Sequence, residues 1–275
     1  SREYFTSELK RILEQGEKYS WDTAEAGKKV MIEYTDPNPF KEFHIGHLMS
    51  NTIGEAISRL IESQGAEVRR ACYQGDVGLH VAKAIYGMRL EESKFPPESA
   101  SLSDKAKFLG LAYAAGSTEP RDGQDKWQRG LQDLNQSIYE RSNEVINRLY
   151  DWGRRVSLDY FETIYQRLGT KFDFYFFESE VAKTGYEYVK KNVEKGIFQK
   201  SQGAIIFPGH KFGLHDRVFI NSLDIPTYEA KDLGLAPAKY RQFPYDLSVI
   251  VTGNEIKEYF KVVLMALKQI NPDLR

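Results

Sequence analysis

The sequence predicts a doubly wound α/β fold, in which helices cover both faces of a parallel sheet. Short apolar runs typical of buried strands alternate along the chain with longer segments whose apolar residues recur at helical spacing. The first two runs enclose one helical segment, and a strand–helix–strand unit of this length places its strands parallel with a right-handed crossover. We therefore expect a sheet whose strands all point the same way.

The elements follow one another in a regular order. We expect residues 1–28 to form a polar lead-in segment with one helix over 4–15, and residues 29–275 to form a single domain. The predicted strands of this domain are 29–35, 67–73, 171–177 and 247–251. The predicted helices are 46–63, 80–88, 178–195, 227–240 and 254–268.

Three further segments complete the prediction. A helical insertion is expected over about 91–130, where prolines and small residues interrupt short helical stretches. Residues 126–168 predict two helices, with the break placed near Trp152 and Gly153. A small β insertion is expected over about 197–225.

Composition excludes several classes of protein. Hydrophobic residues make up 41% and charged residues 28%, which is ordinary for a soluble globular chain. A net charge of −1 gives no overall basic field for nucleic acid. The single cysteine, Cys72, excludes a disulfide framework and a cysteine-built zinc site. Since no apolar run is long enough to span a bilayer, we expect a cytoplasmic protein with no membrane partner and no structural zinc.

The chemistry centres on the turn-rich stretch between the first strand and the following helix. His44 and His47 lie at the predicted helix N-terminus, on one face, where imidazole donors and the helix dipole favour phosphate. Gly46 between them leaves room for a flat base to approach the backbone. Two simpler explanations stay open: a pair of surface histidines, or a zinc pair. Zinc is disfavoured because the other histidines lie in different elements: His80, His210 and His215.

Residues 33–48 carry a specific resemblance. Their sequence, Glu-Tyr-Thr-Asp-Pro-Asn-Pro-Phe-Lys-Glu-Phe-His-Ile-Gly-His-Leu, resembles the ATP-binding signature of class I aminoacyl-tRNA synthetases in its arginyl form. Similarity continues over residues 29–265, in the motifs Tyr73-x-Gly75-Asp76-x-Gly78, Ser157-x-x-x-Phe161-x-x-x-Tyr165, Pro226-Thr227-Tyr228-x-x-x-Asp232 and Val251-x-Gly253-x-Glu255. The resemblance implies a Rossmann-like catalytic domain.

The resemblance also implies a reaction, in which ATP and arginine form arginyl-adenylate and the arginyl group passes to tRNA(Arg). His44 and His47 are then the catalytic residues, because they stabilise charge on the phosphates without acting as bases. His44, Gly46, His47 and Gly253 are implied to bind ATP, which Mg²⁺ normally accompanies. No metal ligand is assigned to the protein, and we expect a monomer.

The amino-acid site can be considered physically as well. A guanidinium group favours carboxylates that bind it in a plane, and Glu33 and Asp232 are the candidates. Tyr228 lies one helical turn before Asp232, on the same face. The resemblance assigns Glu33, Tyr228 and Asp232 to the arginine side chain and Asn38 to its α-amino end. Taken singly, a helical Asp is more often solvated and a Tyr more often packed.

Four residues depart from the family pattern. Asp36 stands where many relatives have Ser, and Val77 where Trp is common. Ile256 replaces a Gln that usually contacts the amino end of the substrate, and Tyr259 replaces a common His. These differences indicate a reshaped pocket.

The chain also ends before the second signature of the family, a Lys-Met-Ser-Lys-type loop, and lacks the flanking tRNA-binding domains. We therefore expect a catalytic-domain fragment that activates arginine poorly alone. Two alternatives stay open. One is a different nucleotidyltransferase that uses the same His-x-Gly-His corner. The other is a non-catalytic domain that binds tRNA or a partner protein.

Overall fold

The computed structural model describes residues 1–272 of the chain. Its helices are α1 Arg2–Gln15, α2 Ile45–Ser63, α3 Leu79–Leu90, α4 Leu102–Ser117, α5 Gln124–Glu140, α6 Glu144–Leu168, α7 Glu178–Val193, α8 Tyr228–Gln242 and α9 Lys257–Ile270. Its strands are β1 Lys29–Glu33, β2 Glu67–Gln74, β3 Phe174–Phe177, β4 Gln199–Ser201, β5 Ala204–Phe207, β6 Arg217–Ile220 and β7 Leu247–Ile250. The division into lead-in, domain and insertions stays a prediction.

A parallel sheet confirms the predicted fold class. Its strand order is β3-β2-β1-β7, and β4, β5 and β6 form a separate antiparallel sheet. Val30, Met31 and Ile32 of the inner strand β1 are buried on both faces, as expected for a strand covered by helices above and below. Glu33 lies opposite Ala71 on one neighbour and Ile250 on the other. The carboxyl ends of β1, β2 and β7 therefore share one edge, where ligands of open α/β sheets bind.

The predicted break near Trp152 and Gly153 is wrong. The helices separate at 141–143 instead, where Arg141 is left-handed (φ 55°) and the Asn143 side chain accepts from the first backbone N–H groups of α6. Gly153 lies inside α6 for a packing reason. A Cβ there would stand 2.2 Å from Cε1 of Phe40, so glycine makes room for that ring.

Glycines also set the position of α8, the helix that borders the candidate site. A Cβ on Gly185 of α7 would lie 1.8 Å from the carbonyl oxygen of Ala230, and one on Gly234 of α8 would lie 2.2 Å from that of Val181. The two backbones consequently touch, and α8 is held close to α7. This contact fixes the direction in which α8 presents its side chains to the sheet edge.

The first helix lies outside the hydrophobic core. None of the residues of α1 is buried, and its apolar side chains Phe5, Leu9 and Leu13 are exposed. Within residues 1–272, no helix combines the length and the apolar character needed to cross a bilayer.

Candidate active site

Ser50 is one of the residues that tie the loop between β1 and α2 to the sheet. Ser50, in the second turn of α2, accepts a hydrogen bond from the Thr35 N–H at 3.0 Å and donates to the Val251 carbonyl at 2.9 Å. The Val251 N–H in turn donates to the Glu33 carbonyl at 2.9 Å. The start of α2 is thereby fixed to the carboxyl ends of both β1 and β7.

His44 and His47 form a stacked pair at the N-terminus of α2. Their ring centroids are 3.7 Å apart. His44 Nδ1 accepts from the Gly46 N–H at 3.1 Å, and His47 Nδ1 accepts from the His44 N–H at 3.2 Å. Because both Nδ1 atoms accept, both rings carry a proton on Nε2. Burial, and secondarily the charge of His44, lowers the pKa of His47 to about 4, so this ring is neutral near pH 7.

The structure thus places two Nε2–H donors beside the positive end of a helix dipole, while their role in binding phosphate stays a prediction. A Cβ on Gly46 would lie 3.0 Å from the His44 ring, so a larger residue here would crowd the ring. Within the described residues, no group of three or more His, Cys, Asp or Glu side chains is arranged to hold a metal ion.

A cavity of about 660 Å³ lies beside this corner, between the sheet edge, α8 and α9. Three of the four residues predicted to bind arginine line it: Glu33, Tyr228 and Asp232. Tyr228 is 55% exposed, with its ring centroid 4.9 Å from Lys231 Nζ. The cavity continues along β7 toward its amino end, where Leu247 is exposed.

Asn38 lies beside the cavity and not in its wall. A Cβ added to Gly75 would stand 2.3 Å from Asn38 Oδ1 and 3.2 Å from the Glu178 carboxylate, which does line the cavity. The buried Asp76, next to Gly75 in this turn, accepts a hydrogen bond from Arg154 Nε at 2.8 Å, which stabilises the turn. The turn therefore holds Asn38 and Glu178 close together.

The remaining predicted ATP residues lie outside the cavity wall. His44, Gly46 and His47 occupy the adjoining helix start, and Gly253 follows β7, just past Thr252, which is a wall residue. The predicted site is consequently divided into a corner at the start of α2, predicted to bind phosphate and called the phosphate corner, and a carboxylate-lined cavity next to it.

Two ion pairs in or beside the cavity wall were not predicted from the sequence. Lys239 Nζ lies 2.8 Å from Glu33 Oε2, and Lys231 Nζ donates to Glu178 Oε2 at 2.6 Å. All four side chains are at most 5% exposed. One signal was available for Lys239, which follows Asp232 by two helical turns and so lies on the same face of α8. Glu178 directly follows strand β3, at the ligand edge of the sheet.

Asp232 and Asp36 complete the acidic wall. Asp232 accepts from the Tyr259 hydroxyl at 2.5 Å, and burial raises the pKa of Asp232 to about 8. Burial, and next the charge of Glu33, raises the pKa of Asp36 well above its usual range. Ile256 contributes an apolar patch to the same cavity. Three of the four departures, at 36, 256 and 259, thus meet in one wall, whereas Val77 is buried in the core.

Comparison with known proteins shows the family to which this chain belongs. Residues 8–274 match the family model described as tRNA synthetases class I (R), catalytic domain. Two arginine–tRNA ligases are similar in sequence: that of Treponema denticola is 28% identical over 264 residues, and that of Treponema pallidum 29% over 262. The alignments cover 95% and 94% of this chain but only 44% of either ligase.

Solved structures show the same fold. The arginyl-tRNA synthetase of Plasmodium falciparum superposes with a TM-score of 0.67 at 21% identity, over 90% of this chain and 42% of that one. The chain thus spans less than half the length of each of these three relatives. The match over residues 8–274 covers nearly all of it, and this chain belongs to the family of class I arginyl-tRNA synthetase catalytic domains.

Proposed function

We propose that this chain is the catalytic part of an arginine–tRNA ligase, which activates arginine with ATP and passes the arginyl group to tRNA(Arg). One observation carries the proposal: the paired Nε2–H donors of His44 and His47 adjoin a cavity walled by carboxylates. The first feature suits a triphosphate and the second suits a cationic amino acid.

The chemistry requires little covalent work from the protein. A carboxylate oxygen of arginine attacks the α-phosphorus of ATP and forms a bond to it. The bond between this phosphorus and the oxygen that bridges to the β-phosphate breaks, and pyrophosphate leaves on the opposite side. Glu33, Tyr228 and Asp232 orient the side chain and Asn38 the amino end, so that the carboxylate faces the phosphate corner. The neutral His47 donates through Nε2–H to a phosphate oxygen and transfers no proton.

ATP arrives with Mg²⁺, which neutralises phosphate charge when bound. Phosphate-bound Mg²⁺ usually needs only one or two protein carboxylates, and the acidic wall provides candidates. Gly46 and Gly253 leave space for the nucleotide. The proposal includes a cytoplasmic, monomeric protein.

Adenylate formation tests the proposal. Each amino acid is tested alone in an ATP–pyrophosphate exchange assay, and the full-length gene product should catalyse exchange with arginine. The present chain should show a much lower rate of exchange. His44→Asn keeps an N-cap acceptor but removes the Nε2–H donor, so the rate should fall about 100-fold or more. His215→Ala, in an exposed loop, is the matched control and should match the parent rate.

The alternatives predict different outcomes. Adenylation of another acid would indicate a different nucleotidyltransferase. Arginine binding without exchange in the full-length product would indicate a non-catalytic domain that binds tRNA or a partner. Either result would overturn the proposed activity.

A further inference from the structure

Two carboxylates in the inner wall of the cavity have no lysine or arginine partner among the described residues. Of the carboxylates in its inner wall, Glu33 is paired with Lys239 at 2.8 Å and Glu178 with Lys231 at 2.6 Å. Neither Asp36 nor Asp232, the other two, forms an ion pair with any residue in 1–272. A carboxylate removed from water is unfavourable unless a cation is nearby. The wall is therefore suited to a ligand with two separate positive charges.

The loop holds Asp36 in this wall at the expense of backbone strain. Thr35 and Asp36 both have left-handed backbones, with φ of 78° and 47°. Asp36 Oδ1 accepts from the Tyr73 N–H at 2.7 Å, which joins the loop to β2. This contact uses only Oδ1, and it needs an acceptor but no negative charge, so the amide oxygen of an asparagine could replace it. The second oxygen and the negative charge are left for another role.

The two unpaired carboxylates lie on different elements. Asp232 projects from α8 near Tyr228, whereas Asp36 lies on the loop that leads to His44. In the proposed reaction the substrate carboxylate must face the phosphates bound at His44. The α-ammonium group is attached to the same carbon, so it lies at the loop end, while the guanidinium extends toward α8.

We propose that the carboxylate of Asp36 binds the α-ammonium group of arginine, as a second anionic contact besides Asp232, which the proposed function already assigns to the side chain. This inference rests on the proposed function. Ile256, in the same wall, has an apolar side chain that forms no hydrogen bond with the amino end. The raised pKa of Asp36 agrees with a carboxyl that is ionised most readily when a cation is bound.

A pair of ligands separates this role from a purely structural one. Arginine and 5-guanidinopentanoate, which is arginine without its amino group, are titrated into this chain by calorimetry or NMR. Asp36→Asn keeps the acceptor for the Tyr73 N–H but removes the charge. We expect it to weaken arginine binding about tenfold or more, since hydrogen bonds between charged groups are the strong ones. Binding of the des-amino ligand should change by less than about twofold.

Two further variants control for folding and for charge. Asp246→Asn removes an exposed carboxylate at the opposite end of the cavity, where Oδ2 accepts from the Lys29 N–H at 2.8 Å. It should leave arginine affinity unchanged. Asp36→Ser is a second substitution, used if Asp36→Asn unfolds, and melting temperatures verify that each variant is folded.

The outcomes are distinct. Equal weakening of both ligands by Asp36→Asn would mean that the residue acts only through the shape of the loop, and would overturn the inference. Unchanged arginine affinity would overturn it too, although the proposed function would stand. If the parent chain binds neither guanidinium ligand, the proposed function fails together with the inference.

Discussion

Asp232→Asn should stabilise the fold while it abolishes arginine binding. Burial raises the pKa of this carboxyl from an ordinary 3.8 to about 8, and Glu33, Glu178 and Glu229 act in the same direction. One pKa unit corresponds to about 1.4 kcal/mol, so ionisation at pH 8 costs the folded chain about 5 kcal/mol by direct conversion. Solvent access from the cavity reduces the effect, and we expect a gain of about 1–3 kcal/mol.

The difference in stability between Asp232→Asn and the wild type should depend on pH in a definite direction. Below pH 3.8 the carboxyl is protonated whether the chain is folded or unfolded, so wild type and variant should be equally stable there. As the pH rises, the unfolded carboxyl ionises first, which favours unfolding of the wild type only. The gap should therefore widen from about pH 4 and level off above about pH 8.

Thermal unfolding followed by circular dichroism, between about pH 4 and 9, measures the gap. For a chain of this size, 1 kcal/mol corresponds to roughly 2–4 °C in Tm. The amide oxygen of Asn still accepts from the Tyr259 hydroxyl, so no donor is left unpaired. Asp246→Asn, at the exposed end of the cavity, is the control. A gap that is independent of pH, or a wild type that is more stable at pH 8, would refute the reasoning.

Three other predictions follow from the site and its supports. Lys239→Met leaves the Glu33 carboxylate buried and unpaired, so urea unfolding should show that the free energy of unfolding falls by about 3–5 kcal/mol. Adding Glu33→Gln should recover most of this loss. If the effects of the two substitutions simply add, the prediction is contradicted. Gly153→Ala should lose about 1–3 kcal/mol because its Cβ has no room, whereas Gly130→Ala, in an open helical position, should gain up to about 1 kcal/mol. A guanidinium binds the ionised form of Asp232, so arginine affinity should rise with pH up to about 8, and binding below that pH should release a proton. Calorimetry that shows no proton release on arginine binding would contradict this prediction.

Local sequence patterns were sufficient for much of this molecule. The strand 30–34, the turn with Pro37 and Pro39 and the helix after His44 are encoded within a short stretch, and the structure forms them where expected. The resemblance brought in Tyr228 and Asp232, whose separation by one helical turn places both in the cavity wall. These features depend on neighbours in sequence.

Long-range pairs were beyond such patterns. Glu33 and Lys239 are far apart in the chain, and a lysine on a helix is usually solvated. The position of Lys239 two helical turns after Asp232 indicates its face of α8 but not its burial or its partner. Because glycine disfavours helices, the sequence predicts a break near Gly153, whereas the role of this glycine depends on Phe40 in a distant loop. The sequence marks Asp36 only as a departure from the family pattern, because its place beside two lysine-paired carboxylates exists only in the folded chain.

Ser50 has a consequence for how accurately two substrates can be aligned. Its hydroxyl joins the first turns of α2 to the ends of β1 and β7. In the proposed reaction the nucleotide lies at the start of α2 and the amino acid at the strand ends, so this hydroxyl couples the positions of the two substrates. Small errors in the separation of reacting atoms reduce rates about 100-fold per ångström. Ser50 is thus one of the contacts that would govern how well the two substrates of the proposed reaction are aligned.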